Sequence, residues 1–266
     1  VEVALTVSAM MKMNPVAVMQ AMRKTVVDGS NTSGFQRTTL IATGGAVETN
    51  STPVGISLLT IEEDSARKLD TVSGTGGEVV IYTLDRLGVP LIEIATEPDI
   101  LSPIHAQETS KALGQLLRDT RRVRRGLGTI RQDLNVSIAC GDRVEIKGCQ
   151  DLDWIPKIIE LEMARQLHFY RLANEMRAEN GQPLLPPNRD DDDEATEEEV
   201  ARLVEKLLPC DVTDITDIFS TCQSKMVGDS LANGAKVLAV KLANFAGRIG
   251  SKQLDASGAQ MPRLGR

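Results

Sequence analysis

Between Gly128 and Cys149, GTIRQDLNVSIACGDRVEIKGC, apolar and polar positions alternate with a period of two, which predicts a β-hairpin. Arg131, Asp133, Asn135 and Ser137 fall on one face, and Ile130, Leu134, Val136 and Ile138 on the other. The return strand sets Arg143, Glu145 and Lys147 against Val144 and Ile146. A loop at Ala139-Cys140-Gly141, with Gly in the left-handed position, places Asn135 opposite Glu145 and Asp133 opposite Lys147. The same pattern predicts strands over Phe35–Ala42, Val54–Ile61, Val79–Leu84 and Pro90–Thr96. Helical signals mark Met13–Lys24, entered through Asn14-Pro15, and a segment from the Ser102-Pro103 cap to about Arg118. A longer helix is expected over Ile155–Ala178, with Ile155, Ile158, Ile159, Glu162 and Met163 on one stripe. These elements describe an α+β fold with a mixed or antiparallel sheet and helices on one side.

The stretch 180–199, NGQPLLPPNRDDDDEATEEE, joins Pro and Gly to an acidic run and reads as a linker. It separates a domain over 1–179 from a smaller α+β module over 200–266. That module is expected to hold a helix over Glu197–Leu208, the segment DVTDITDIF, a further helix, and a strand over Lys236–Lys241.

Composition narrows the function classes. A chain of 266 residues with 41% hydrophobic and 25% charged residues has the balance of a water-soluble globular protein. Its formal net charge of −7 provides no global field for nucleic acid, so such a contact has to use a local patch. The basic run RRVRRG, Arg121–Gly126, is the one strongly positive stretch, either a solvated loop or a phosphate contact. No apolar run is long enough to span a bilayer, and Val1 begins no signal pattern. The lack of an initiator Met points to a fragment. Cys140, Cys149, Cys210 and Cys222 form no C-x-x-C pair, which argues against a zinc site and for a reducing, cytoplasmic setting.

Three stretches carry chemistry-bearing residues. Glu62, Glu63 and Asp64 end a strand just before Arg67 and Lys68, as hard-cation ligands or as ordinary element-end acids. Glu93 interrupts the apolar strand LIEIA and needs either water or a partner. The polar loop GSNTSGF, with Ser30, Asn31 and Ser33, is able to cradle phosphate through backbone N–H groups, although it lacks a P-loop ending. On the hairpin face, cross-strand salt bridges are the ordinary alternative to a catalytic set.

The blocks DGSNTSGFQRT, EEDSARK, LDRLGVPLIEIATEPDI, RRGLGTIRQDLNVSI and RVEIKGCQDLDWIPKIIELEMARQ, in that order, closely resemble the family of archaeal glutamyl-tRNA(Gln) amidotransferase E subunits. They are similar, more distantly, to the B subunits of the bacterial and organellar enzymes. DVTDITDIF and KVLAVKLANFAG resemble the start of an insertion domain shared with bacterial-type aspartyl-tRNA synthetases. A departure occurs at Val16–Met22, where the family is usually more polar. The resemblance implies a cradle-type catalytic domain lacking the family's first strand, with its Glu and His, and lacking everything beyond the start of the insertion domain. It implies an ATP-dependent carbon–nitrogen ligase: ATP phosphorylates the γ-carboxylate of Glu-tRNA(Gln), and ammonia from an asparaginase-like D subunit displaces phosphate. Several negative charges then meet, which calls for Mg²⁺ and cations. On that basis Glu63, Glu93, Asp133 and Glu145 are the expected Mg²⁺ ligands. Arg131, Asn135 and Lys147 are the expected catalytic contacts, with Ser30, Asn31 and Ser33 beside Arg131 and Lys147 at ATP. The carboxylates are expected to line one concave sheet face. A non-catalytic tRNA-binding subunit, or another Mg²⁺-dependent phosphotransferase, fits part of the same pattern.

Overall fold

The computed structural model describes residues 1–74, 77–126, 128–179, 181–188 and 212–242, together with Glu198, Arg202 and Ala246. The chain folds as two compact units, Val1–Asn135 with Glu145–Glu160, and Val136–Val144 with Leu161–Arg266. Most of the acidic linker, the helix expected over Glu197–Leu208, and Cys210 lie outside the described residues.

The first unit is built on an antiparallel six-stranded sheet. Its centre is β3 (Phe35–Thr43) against β5 (Val54–Glu63). On β3 lie two short edge strands, β1 (Asn14–Pro15) and β2 (Ala21–Thr25), while β5 also pairs with β4 (Ala46–Val47) and β8 (Pro90–Thr96). The helices α1 (Glu2–Met10) and α2 (Pro103–Asp119) pack on the cluster of Ile41, Val54, Ile56 and Leu59, with Ile61, Ile92 and Ile94 alongside. Fully burying each such side chain contributes about 1.5 to 3 kcal/mol, which makes this layer the main source of the unit's stability. The Ser102 side chain caps α2 by accepting from the His105 N–H at 3.1 Å, with Pro103 in the first turn.

The helix expected over Met13–Lys24 is replaced by β1, a bend and β2. Asn14 and Pro15 pair with Thr43 and Ala42 instead of capping a helix, and Val16 N–H donates to Ile41 O at 2.9 Å. An edge position tolerates Pro, because its missing N–H leaves no ladder bond unmade. The helix lies earlier: Ala4, Val7, Ser8 and Met11 recur at helical spacing and are all buried.

Outside the sheet, β6 (Arg67–Gly74) and β7 (Gly77–Thr83) form a two-stranded ribbon. Leu69, Val72, Val79, Val80 and Ile81 on it are exposed. The hairpin predicted from alternation is present but short, with β9 (Leu134–Val136) pairing β10 (Val144–Ile146). Its connection turns through Ile138 O accepting from Gly141 N–H at 2.9 Å. Gly141 is not in the left-handed region expected for it. Space favours glycine there: a Cβ would lie 2.3 Å from Gln166 Oε1 and 3.0 Å from its Cβ, so the Gln166 side chain would have to give up its position. Gln166, on α3 (Ile155–Glu179), accepts from Ile138 N–H at 3.1 Å and donates to Val136 O at 3.0 Å and Glu162 Oε1 at 2.9 Å. In the second unit, β11 (Val212–Asp214) and β12 (Leu238–Val240) pair antiparallel, with a helix Lys225–Ala232 between them in sequence. No helix among the described residues is long and apolar enough to cross a membrane.

Candidate functional site

The register of the central strands decides which groups can meet. Thr38 on β3, Glu62 on β5 and Leu91 on β8 lie side by side, as do Leu40, Thr60 and Glu93 two residues further along. Paired residues project to the same face, so Gln36, Glu62, Leu91 and Glu93 stand opposite the layer formed by Leu59, Ile61, Ile92 and Ile94. On this free face a cavity of about 400 Å³ is lined by Gln36, Glu62, Asp64, Ser65, Ala66, Arg67, Arg86, Leu91 and Arg131.

Asp64 organises the cavity. It is 9% exposed, and its Oδ2 accepts from Arg86 Nε at 3.0 Å and Nη2 at 2.7 Å, with Arg131 Nη2 at 3.6 Å. Its backbone is held too, N–H donating to Val89 O at 2.8 Å and C=O accepting from Gly88 N–H at 2.9 Å. Glu62 Oε1 accepts from Thr38 Oγ1 at 2.8 Å and Lys24 Nζ at 3.1 Å, and Arg67 pairs with Asp85 at 3.2 Å. Three guanidinium groups and two carboxylates line the cavity, leaving it net positive and suited to an anion.

The loop over Gly29–Gly34 joins the cavity wall from behind. Ser30 O accepts from Ala66 N–H at 2.8 Å, and the buried Asn31 accepts from Ser65 Oγ at 3.2 Å. The side chains expected to touch ATP are occupied within the loop. Ser30 Oγ donates to Asp28 Oδ1 at 2.6 Å, and Ser33 Oγ donates to Phe35 O at 2.9 Å. The Ser30 bonds hold the Asp28 carboxyl below the usual range.

The four carboxylates expected around Mg²⁺ do not converge. Alternation puts Glu63 on the face opposite Glu93, and Glu63 pairs with Arg37 at 2.7 Å. Glu93 is exposed and accepts from Thr60 Oγ1 at 3.3 Å. Asp133 and Glu145 do meet, but around Lys147, at 3.7 Å and 2.9 Å. The Glu145 hydrogen bond and charge, with Asp133 adding less, raise the Lys147 pKa. Asn135 is exposed in the middle of β9. Among the described residues no three His, Cys, Asp or Glu side chains stand where they could share a metal ion. Of the residues expected at the site, Arg131 alone lines the cavity. Arg86 and Gln36 were not foreseen there, whereas Glu62 and Asp64, read as hard-cation ligands or element-end acids before Arg67, line the cavity beside arginines; strict alternation through EED, applied to β5, would have separated Glu62 from Glu63.

Residues 1–225 match the GatB/GatE catalytic domain, and the chain belongs to that family. It is 45% identical over 251 residues to the E subunit of glutamyl-tRNA(Gln) amidotransferase from Methanocaldococcus jannaschii, the match covering 94% of this chain and 35% of that protein. The corresponding E subunits from Pyrococcus furiosus and Methanosarcina barkeri are 47% and 43% identical over 249 and 252 residues, each match covering 94% of this chain. These are 36% and 35% of their own lengths, so the chain spans about a third of the curated relatives it matches.

Proposed function

We propose that this chain is the phosphorylating part of a tRNA-dependent amidotransferase acting on Glu-tRNA(Gln). The observation that carries the reading is the net-positive cavity on the free sheet face, with Arg131 and Arg86 gathered on Asp64, in a chain of this family. A γ-carboxylate oxygen of the esterified glutamate attacks the γ-phosphorus of ATP, the bridging P–O bond breaks, and ADP leaves. Ammonia then attacks the acyl phosphate carbon, phosphate departs with the bonding pair, and the nitrogen loses a proton. Both steps gather anions, so fixed cations stabilise their transition states more than any protein nucleophile would.

Arg131 and Arg86 are assigned to phosphate oxygens in the cavity, Asp64 holding both guanidinium groups in position. Asn135 and Lys147 are assigned to the acyl-phosphate end, where Lys147 would exchange Asp133 and Glu145 for phosphate. Mg²⁺ enters this proposal as the counter-ion of ATP. The protein donors Glu63, Glu93, Asp133 and Glu145 do not fit one ion as they stand, so no step is routed through a metal they hold. Ammonia is assigned to an asparaginase-like partner subunit, giving a cytoplasmic hetero-oligomer, and residues 212–242 to the start of the insertion domain. The test is ADP formation by the full-length protein with labelled ATP and glutamylated, uncharged or glutaminylated tRNA(Gln). Turnover with the glutamylated form alone is expected; equal turnover with all three would overturn the reading.

A further inference from the structure

We infer that Arg121–Arg125 is a phosphate-backbone contact for the RNA whose aminoacyl end enters the cavity; this rests on the functional reading above. Four arginines in five residues stand in a chain of net charge −7, which otherwise repels a polyanion. Arg121, Arg122, Arg124 and Arg125 are all exposed. Arg122 is tied to Glu2 at 2.6 Å, whereas Arg121, Arg124 and Arg125 have no ion-pair partner among the described residues. Elsewhere in this unit Lys24, Arg37, Arg67, Arg86, Arg131 and Lys147 each have a carboxylate partner, and the cations that have none among the described residues, Lys12, Arg23, Lys68 and Arg118, stand singly rather than in a run. Three of the four charges in the run are therefore uncompensated by neighbours.

The start of the run, Arg121 and Arg122, is also held in place. Arg121 N–H donates to Arg118 O at 3.0 Å, Arg122 N–H to Thr120 Oγ1 at 3.2 Å, and Thr120 Oγ1 to Leu117 O at 2.7 Å, which fixes the turn leaving α2. From Arg125 six residues lead to Arg131 in the cavity wall. A chain spans at most about 3.5 Å per residue, so the two lie within roughly 20 Å. That bound keeps the arginines close enough for a duplex end to rest on them while its single-stranded terminus reaches the cavity.

The test is filter binding of an uncharged tRNA(Gln) transcript to the full-length protein between about 50 and about 200 mM salt. Each lost phosphate contact lowers the log–log salt slope by about 0.7 to 0.9, roughly a threefold change in affinity over this range. R124A/R125A is expected to bind about tenfold more weakly at the low-salt end, with a slope shallower by about 1.5. R124K/R125K should keep the wild-type slope, and R122A should move it less than either unpaired arginine. An unchanged slope in R124A/R125A, or a Lys variant as weak as the Ala variant, overturns the proposal. ADP formation on glutamylated tRNA is measured in parallel with wild type. Its absence there sinks the functional reading, whereas tRNA-dependent turnover beside an unmoved slope sinks the backbone contact alone.

Discussion

Asp64→Asn changes one atom of the cavity and tests how its cations are held. The Asp64 Oδ2 accepts two hydrogen bonds from Arg86, at 3.0 and 2.7 Å, and faces Arg131 at 3.6 Å, while Oδ1 accepts from Ser65 N–H at 3.0 Å. An Asn keeps the Ser65 bond only by turning its NH₂ toward guanidinium donors. A hydrogen bond to a charged group nets about 1.5 to 3 kcal/mol. The two Arg86 bonds share one acceptor, and the Arg86 side chain is 40% exposed, so solvent screening discounts their sum to about 2 to 4 kcal/mol. At about 2 to 4 °C per kcal/mol for a domain of this size, the melting temperature should fall by about 5 to 15 °C. Arg131 also loses its anchor, so KM for ATP should rise. Arg86→Lys keeps the charge, loses the two-pronged geometry and should cost about half as much. Circular dichroism melts and ATP-dependent turnover of the full-length protein read both effects. A melting temperature within about 1 °C of wild type, with KM for ATP unchanged, would refute the assignment of Asp64 as the organiser of this cavity.

Three further outcomes can be measured on stability alone. Gly45 has φ +104, and a Cβ there would lie 2.5 Å from Met11 O and 2.6 Å from Met13 Cγ, so Gly45→Ala should destabilise by about 2 kcal/mol or more in urea unfolding. Gln166→Ala removes the bonds to Val136 O and Ile138 N–H from a residue 5% exposed and should lose about 2 to 3 kcal/mol, with faster hydrogen exchange at Ile138. Desolvation alone would raise the Glu162 pKa, but hydrogen bonds from Arg165 and Gln166 outweigh it, and the folded value lies below the usual 4.5. Its contribution is therefore fully present above pH 4.5 and is lost as pH falls through the folded value. Glu162→Gln should flatten that acid limb of the stability curve; an identical acid limb would count against the pairing.

The elements that sequence made legible are those where local signals and packing agree. Pro90–Thr96 is the strand expected, and α2 begins at its Ser102 cap with Pro103 behind it. Met13–Lys24 misled because Asn-Pro serves a sheet edge as well as a helix start, and the choice is made by pairing with β3, which is distant in sequence. The strand β6 escaped notice because RKLDTVSG forms a ribbon with no buried side, so it carries no alternation. At the site, alternation set Lys147 opposite Asp133, and the two do meet, but Lys147 also pairs with Glu145 of its own strand, and no local signal announces the contact of Ser65 and Ala66 with the Gly29–Gly34 loop. The Asp64–Arg86 pair was hidden because it joins two chain segments 22 residues apart, and nothing local in LDRLGVP marks Arg86.

The central claim, that this chain directs phosphoryl transfer from ATP to the glutamyl end of a tRNA, is tested most directly by following the label. The full-length protein is incubated with ATP labelled at the γ-phosphate and Glu-tRNA(Gln), without ammonia or a glutamine-hydrolysing partner, and the tRNA is isolated rapidly. Label is predicted on glutamylated tRNA only, released as phosphate with formation of Gln-tRNA(Gln) when ammonium is added, and much reduced in Arg131→Ala. Gln-tRNA(Gln) formation without ATP consumption, or label transferred equally to uncharged tRNA, would contradict it.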